Sequence, residues 1–193
     1  KRLPAFLDSN GTYFTNDKGF IVTSANESVA YLTAIFNSSL FRCCFRDNFP
    51  ELSGNSYEVR KIFVDEIPIR RPGPELQLIE WLVILMHSGE GLESERSLVA
   101  QLIDACVMEC YFGEHMAERD LQFQNELAVV MRNARSLASP ALQRKALDEI
   151  VKAMEEPGSP LAERLNAIPE RSPDLLGVIQ KEAEIQEGSG STQ

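Results

Sequence analysis

The apolar pattern changes period near residue 27. Before that point, Phe6-Leu7, Tyr13-Phe14 and Phe20-Ile21-Val22 form short β-prone clusters. Turn formers separate them, at Asp8-Ser9-Asn10-Gly11 and Asn16-Asp17-Lys18-Gly19. Residues 1–23 therefore predict a β-meander with two tight turns, with an irregular loop as the alternative because the strands are so short. Over residues 27–46 the period is helical. Val29, Leu32, Ile35 and Phe36 share one face, and Leu40, Cys43 and Cys44 make a second group. Ser24 or Asn26 is placed to cap the first helix, and Asn37-Ser38-Ser39 marks the junction of two short helices. A polar loop over residues 47–56 holds Pro50 and Gly54. Residues 57–67 (YEVRKIFVDEI) read as a strand, which Ile67-Pro68-Ile69 leaves.

Arg70-Arg71-Pro72-Gly73-Pro74 is the clearest boundary, because two prolines and a glycine break any regular element. After it the stripes are helical. Residues 75–88 carry Leu76, Ile79, Leu82, Val83 and Met86, and residues 94–112 carry Leu98, Leu102, Ile103, Cys106, Val107 and Tyr111. The short Gly89-Glu90-Gly91 link predicts antiparallel neighbours, and Gly113 stops the second helix. Further helices are expected over 116–137 and 140–156, the latter started by Ser139-Pro140. A short helix runs from Pro160 to Ala167 and ends at Ile168-Pro169, and a last one covers 173–186. The expected fold class is α+β: a small β-meander with two short helices, followed by a mainly α-helical bundle. The expected divisions are a first part over 1–72, an acidic helical part over 73–187 and a flexible tail over 188–193.

Charge divides the chain at the same place. The formal net charge is −10, which argues against nucleic acid as a partner. Residues 1–72, however, hold nine Lys/Arg against eight Asp/Glu, net +1, while residues 73–193 hold ten against 21, net −11. Phosphates would repel the second part, whereas the first is electrostatically permissive. The apolar share of 44% and charged share of 25% are those of a globular protein. No apolar run nears the roughly 18 residues of a membrane span. Lys1-Arg2-Leu3-Pro4 lacks the apolar run of a signal peptide and an initiator Met, and reads as internal to a longer chain. Cys43-Cys44 and Cys106/Cys110 lack metal-ligand spacing and fit small buried hydrophobes in a reducing cytoplasm.

No catalytic set stands out. There is no Gly-rich cofactor loop after a strand, no Asn/Asp-Pro-Pro-aromatic motif, and no nuclease order of acids and lysine. Asp65-Glu66 is followed by Pro68, and Lys61 precedes it. His87 sits at a helix end, where capping is the default. Glu114, His115 and Glu118 suit either a solvated helix start or a metal, and no Ser-His-Asp set assembles. No residue is therefore assigned to catalysis or to a metal. The basic residues show some order. Arg42 and Arg46 are i, i+4 on one helix face, Arg60 and Lys61 are adjacent on the expected strand and point to opposite faces, and Arg70 and Arg71 lie in the exit loop. These suit phosphate contacts, and Ser53, Asn55, Ser56 and Tyr57 in the Gly54 loop suit base edges. The alternative is a surface loop with scattered charges.

Two stretches shift that balance. YLTAIFNSSLF, residues 31–41, resembles the Asn-Ser helical signature of the C-terminal specificity domain in TaqI-like and Eco57I-like adenine-N6 DNA methyltransferases. Phe63-Val64-Asp65-Glu66-Ile67-Pro68-Ile69 resembles the aliphatic-Pro-aliphatic exit that follows in that family. Gly11-Thr12-Tyr13 and Gly19-Phe20-Ile21 look like its preceding strands. Residues 102–113 look like a later helix, with Phe112-Gly113 where the family has Gly-Leu. The resemblance covers residues 10–113. It implies a target-recognition domain of a restriction–modification enzyme, bound to double-stranded DNA in the cytoplasm. S-adenosylmethionine and the catalytic Asn-Pro-Pro-Tyr loop would lie in a parent domain outside this chain, so the fragment itself holds no cofactor. The alternative is a protein-interaction module, whose acidic helices dock on the parent enzyme or on a partner subunit.

Overall fold

The computed structural model describes residues 5–15, 19–52, 56–57, 60–87, 91–133 and 137–179. Nine α-helices order the described chain: α1 (Val29–Asn37), α2 (Ser39–Asn48), α3 (Lys61–Asp65), α4 (Leu76–His87), α5 (Glu93–Tyr111), α6 (Gly113–Glu118), α7 (Gln124–Val130), α8 (Pro140–Glu155) and α9 (Pro160–Arg171). A 3-10 turn at Met131–Asn133 extends α7, and residues 173–179 are helical. The only ladder among the described residues joins β1 (Glu51–Leu52) to β2 (Ser56–Tyr57), antiparallel, with Glu51 opposite Tyr57.

The expected β-meander is not formed, and the α+β assignment is corrected to a mostly helical fold. Among the described residues, 5–15 and 19–28 contain no strand. The Asp8 carboxylate supplies one reason. It accepts from the backbone N–H groups of Asn10 (3.2 Å), Thr12 (3.1 Å) and Tyr13 (2.9 Å), so these donors are spent locally rather than on a neighbouring strand. The bond from Tyr13 leads in holding this carboxyl below its usual range. Gly11, at φ 63, supplies the left-handed residue that this turn needs. Phe14 and Ile21 are left exposed.

The strand expected over 57–67 is likewise corrected. Only Ser56–Tyr57 pairs, and Lys61–Asp65 is helical. Its first and last residues form an i, i+4 ion pair, and Phe63 packs back on Phe49 with ring centroids 5.8 Å apart. The Phe63 contact and the Lys61–Asp65 pair favour this turn over the β propensity of Ile62, Phe63 and Val64, none of which is buried.

The long helix α5 is the centre of the core. On one side α1 and α4 pack on it, contributing Tyr31, Ala34 and Ile35 together with Ile79, Leu82 and Val83. Towards its C-terminal end the chain turns through α6 to α7, α8 and α9, whose Leu127, Ile150 and Leu161 belong to the same apolar cluster. Residues before and after Arg70–Pro74 thus share one core. Arg144 of α8 grips the largely buried Glu95 at the start of α5 through two bonds, Nη1 to Oε2 at 2.9 Å and Nη2 to Oε1 at 2.6 Å.

Three helix boundaries differ from expectation. Ser28 caps α1 by accepting from Tyr31 N–H, while Ser24 accepts from Asn26 and Glu27 N–H in its own turn. The helix expected over 116–137 divides at Asp120. There Leu121 N–H bonds Met116 C=O (2.8 Å), Asp120 N–H bonds Ala117 C=O (3.1 Å) and Asp120 has φ 52. This is a Schellman stop, with its apolar pair Met116 and Leu121 fully buried. Conversely, α9 runs through Pro169 to Arg171. So near the helix end Pro169 removes a single ladder donor, while Leu161, Leu165 and Ile168 stay buried on one stripe.

Candidate nucleic-acid interface

Each residue of Asn37-Ser38-Ser39 has a separate task. The Asn37 side chain pairs with both backbone groups of Ala5, with Oδ1 accepting at 3.1 Å and Nδ2 donating at 2.8 Å. Ser38, 1% exposed, donates to Ile35 C=O (2.7 Å) and caps α2 by accepting from Phe41 N–H (3.1 Å). Ser39 donates twice to Asp104 of α5, from its N–H (2.7 Å) and its hydroxyl (2.6 Å). The junction is therefore bolted to the central helix.

From α2 an aromatic row leads to the short hairpin. Phe41 and Phe45 lie 5.8 Å apart, Phe45 stacks on Phe49 at 4.0 Å, and Phe49 meets Phe63 of α3 at 5.8 Å. Both ends of the β1–β2 segment are thus anchored on one aromatic clamp. Beyond α3 the exit segment is pinned by two tyrosines. Tyr31 Oη donates to Arg70 C=O (2.9 Å), while Tyr111 Oη accepts from Arg70 N–H (3.1 Å) and donates to Pro68 C=O (3.1 Å). Burial raises both phenols above their usual range, keeping these hydroxyls protonated as the donor role requires. The three sequence stretches 31–41, 63–69 and 102–113 therefore meet through Tyr31, Ser39, Asp104, Arg70, Pro68 and Tyr111.

The expected contact residues distribute as follows. Arg42 is exposed on α2, and Arg46 lies in the same helix. Arg60 and Lys61, expected on opposite faces of a strand, are instead the N-cap and first residue of α3, and both are exposed. Arg70 and Arg71 are exposed in the exit segment. Ser56 and Tyr57 form β2, while Ser53 and Asn55 lie outside the described residues. Lys61 is ion-paired to Asp65.

Ion pairs take up the guanidinium groups of four arginines after Pro74. Arg119, Arg144, Arg164 and Arg171 are each ion-paired to a carboxylate. Among the described residues, the guanidinium groups of Arg42, Arg70 and Arg71 have no hydrogen bond or ion-pair partner. Composition did not reveal this contrast. Nor did it reveal Tyr31, Tyr111 and Asp104, although an Asp inside the apolar stripe Leu102-Ile103-Asp104-Ala105-Cys106 signals a paired polar group.

Other groups are committed to the fold. A groove of about 570 Å³ lies between residues 5–6 and helices α1, α4 and α5. On its rim, Asn37 and Asp104 are engaged as above. His87 donates from Nδ1 to Val83 C=O (2.8 Å) and accepts at Nε2 from Leu7 N–H (3.4 Å). His115 Nε2 is 2.6 Å from Ser172 Oγ, and Asp174 approaches the same nitrogen at 3.8 Å. A catalytic triad places the acid on the opposite ring nitrogen, and Ser172 is completely buried at the end of α9. Burial pushes the Cys110 thiol up to about 12, and Cys106 well above its usual value. No described group of three or more His, Cys, Asp or Glu is placed to hold a metal. No helix among the described residues is long and apolar enough to cross a membrane. The chain matches no protein-family model, no curated protein and no solved structure.

Proposed function

We propose that the chain is a DNA target-recognition part of an adenine-N6 DNA methyltransferase or type II restriction–modification enzyme. It positions double-stranded DNA in the cytoplasm for a catalytic domain outside this chain, where S-adenosylmethionine would bind. The observation that carries this reading is a set of three exposed arginines without an ion-pair partner among the described residues, in the part of the chain whose charge balance permits phosphate. Arg42, Arg70 and Arg71 display guanidinium groups with no carboxylate partner among the described residues, while the arginines of α8 and α9 are spent on ion pairs. Guanidinium groups on a fixed surface suit phosphate oxygens, which set the register of a protein on a duplex. The meeting of the three motif stretches around Tyr31, Ser39 and Tyr111 supports the same reading.

The test is binding of a labelled duplex of about 24 base pairs, followed by anisotropy between about 50 and 200 mM salt. The variant Arg42→Ala/Arg70→Ala/Arg71→Ala is expected to flatten the dependence of log affinity on log salt by about 0.9 for each phosphate that is no longer neutralised. Removing equal charge from the helical part, with Arg132→Ala/Lys145→Ala/Lys152→Ala, is expected to leave the slope unchanged. Equal slopes for the first variant and the unaltered chain would sink the proposal.

A further inference from the structure

We infer that Tyr31 and Tyr111 are positioning residues that hold the Arg70–Arg71 backbone so that both side chains meet DNA phosphates. This rests on the DNA-recognition reading above. Residues 67–72 belong to no helix or strand, yet three side-chain hydrogen bonds tie their backbone to the core helices. The Arg70 N–H is held by Tyr111 at 3.1 Å, the Arg70 C=O by Tyr31 at 2.9 Å and the Pro68 C=O by Tyr111 at 3.1 Å. The anchors come from α1 and α5, the helices at the centre of the core, and Tyr31 is 0% exposed. Pro68 and Pro72 fix φ on both sides of the arginines. Ile69 packs against the core, while Arg70 and Arg71 are both exposed.

A connection from α3 to α4 needs none of this to cross the surface. What the anchored backbone offers is two exposed guanidinium groups on a segment already hydrogen-bonded to the core. Binding then orders only the side chains, which lowers the entropic cost of each phosphate contact. The Glu75 carboxylate attracts Arg70 through its charge but forms no ion pair with it. Its Oε1 is engaged by Gly73 N–H (2.9 Å) and the Cys110 thiol (3.5 Å).

The experiment compares Tyr31→Phe, Tyr111→Phe and Arg70→Ala/Arg71→Ala in the full chain, using the duplex probe and salt series above. The arginine variant is expected to flatten the salt slope by about 1.8, or about 0.9 per phosphate. Each phenylalanine variant is expected to stay folded by circular dichroism and to lose at least half of that same slope. Tyr111→Phe added to the arginine variant is expected to change the slope no further. Ser139→Ala, which removes the cap of α8 without touching the exit segment, is expected to keep the full slope. Should Tyr31→Phe fail to fold, the half-buried Tyr111 carries the test. A full slope in Tyr111→Phe beside a flattened one in the arginine variant overturns the positioning role and leaves recognition standing. A full slope in the arginine variant overturns the assignment of Arg70 and Arg71 to phosphates.

Discussion

Single polar groups decide how this chain is tied together, and they respond to pH in opposite directions. The Glu95 carboxyl is held below its usual range, first by the hydrogen bonds from Arg144 and then by Leu92 N–H. Folding favours its ionised form. Its contribution is therefore present above the unfolded value of about 4.3 and is lost as pH falls through the lowered folded value. Glu109 behaves in the opposite sense, because burial raises it against the bonds it accepts from Phe123 and Gln124 N–H. Its contribution is present below the unfolded value and is lost as pH rises through the raised one. Urea denaturation across pH checks both. The stability deficit of Glu95→Gln should shrink as pH falls below about 4. Glu109→Gln should gain on the unaltered chain as pH rises from about 4 to 7. Ser39→Ala removes the hydroxyl bond to the Asp104 carboxylate and is expected to cost about 1.5–3 kcal/mol in the same assay, the range for a hydrogen bond to a charged partner.

At the scale of elements, the aromatic row from α2 to α3 is the joint on which the hairpin depends. Phe49 is 4% exposed and touches Phe45 and Phe63 together. Phe49→Ala is expected to cost about 3–5 kcal/mol. Hydrogen exchange should show α3 amides losing protection before those of α5, and uniform loss would place the joint elsewhere. The helices after Pro74 were legible because their apolar stripes repeat over many turns, as in Leu98, Leu102, Ile103 and Cys106. The stop at Asp120 was not, because an Asp replaces the glycine usual at a left-handed C′ position. The region before residue 24 misled for a different reason. Its clusters are β-prone, but strands need partners, and Asp8 takes the donors that a partner would use. Of the candidate interface, the residue types and the exit segment were legible. Which arginines are ion-paired was not, because pairing depends on contacts such as Arg164 with Glu126, 38 positions apart.

For the whole molecule, the decisive property is that the basic-permissive and acidic parts share one core. Tyr31, Ala34 and Ile35 of α1 are at most 3% exposed and cover Ile79, Leu82 and Val83 of α4, so neither part buries its own apolar face alone. A chain of this kind should unfold in one cooperative step. Trp81, the single tryptophan, is half-buried on α4 against the same cluster, so its fluorescence reports the α4 side of the shared core. Far-ultraviolet circular dichroism reports all the helices, most of which follow Pro74. Ile35→Ala should cost about 2–5 kcal/mol and move both transitions to the same lower denaturant concentration. If the fluorescence transition moved while the dichroism transition stayed, the two parts would be separate folding units. If the chain binds DNA as proposed, cooperative coupling also bears on that binding. Arg70 hangs from Tyr31 on one side and Tyr111 on the other, so loosening α1 against α5 should weaken duplex binding together with stability. Ile35→Ala should therefore weaken the salt-dependent binding as partial denaturant is added, at concentrations where the unaltered chain still binds fully.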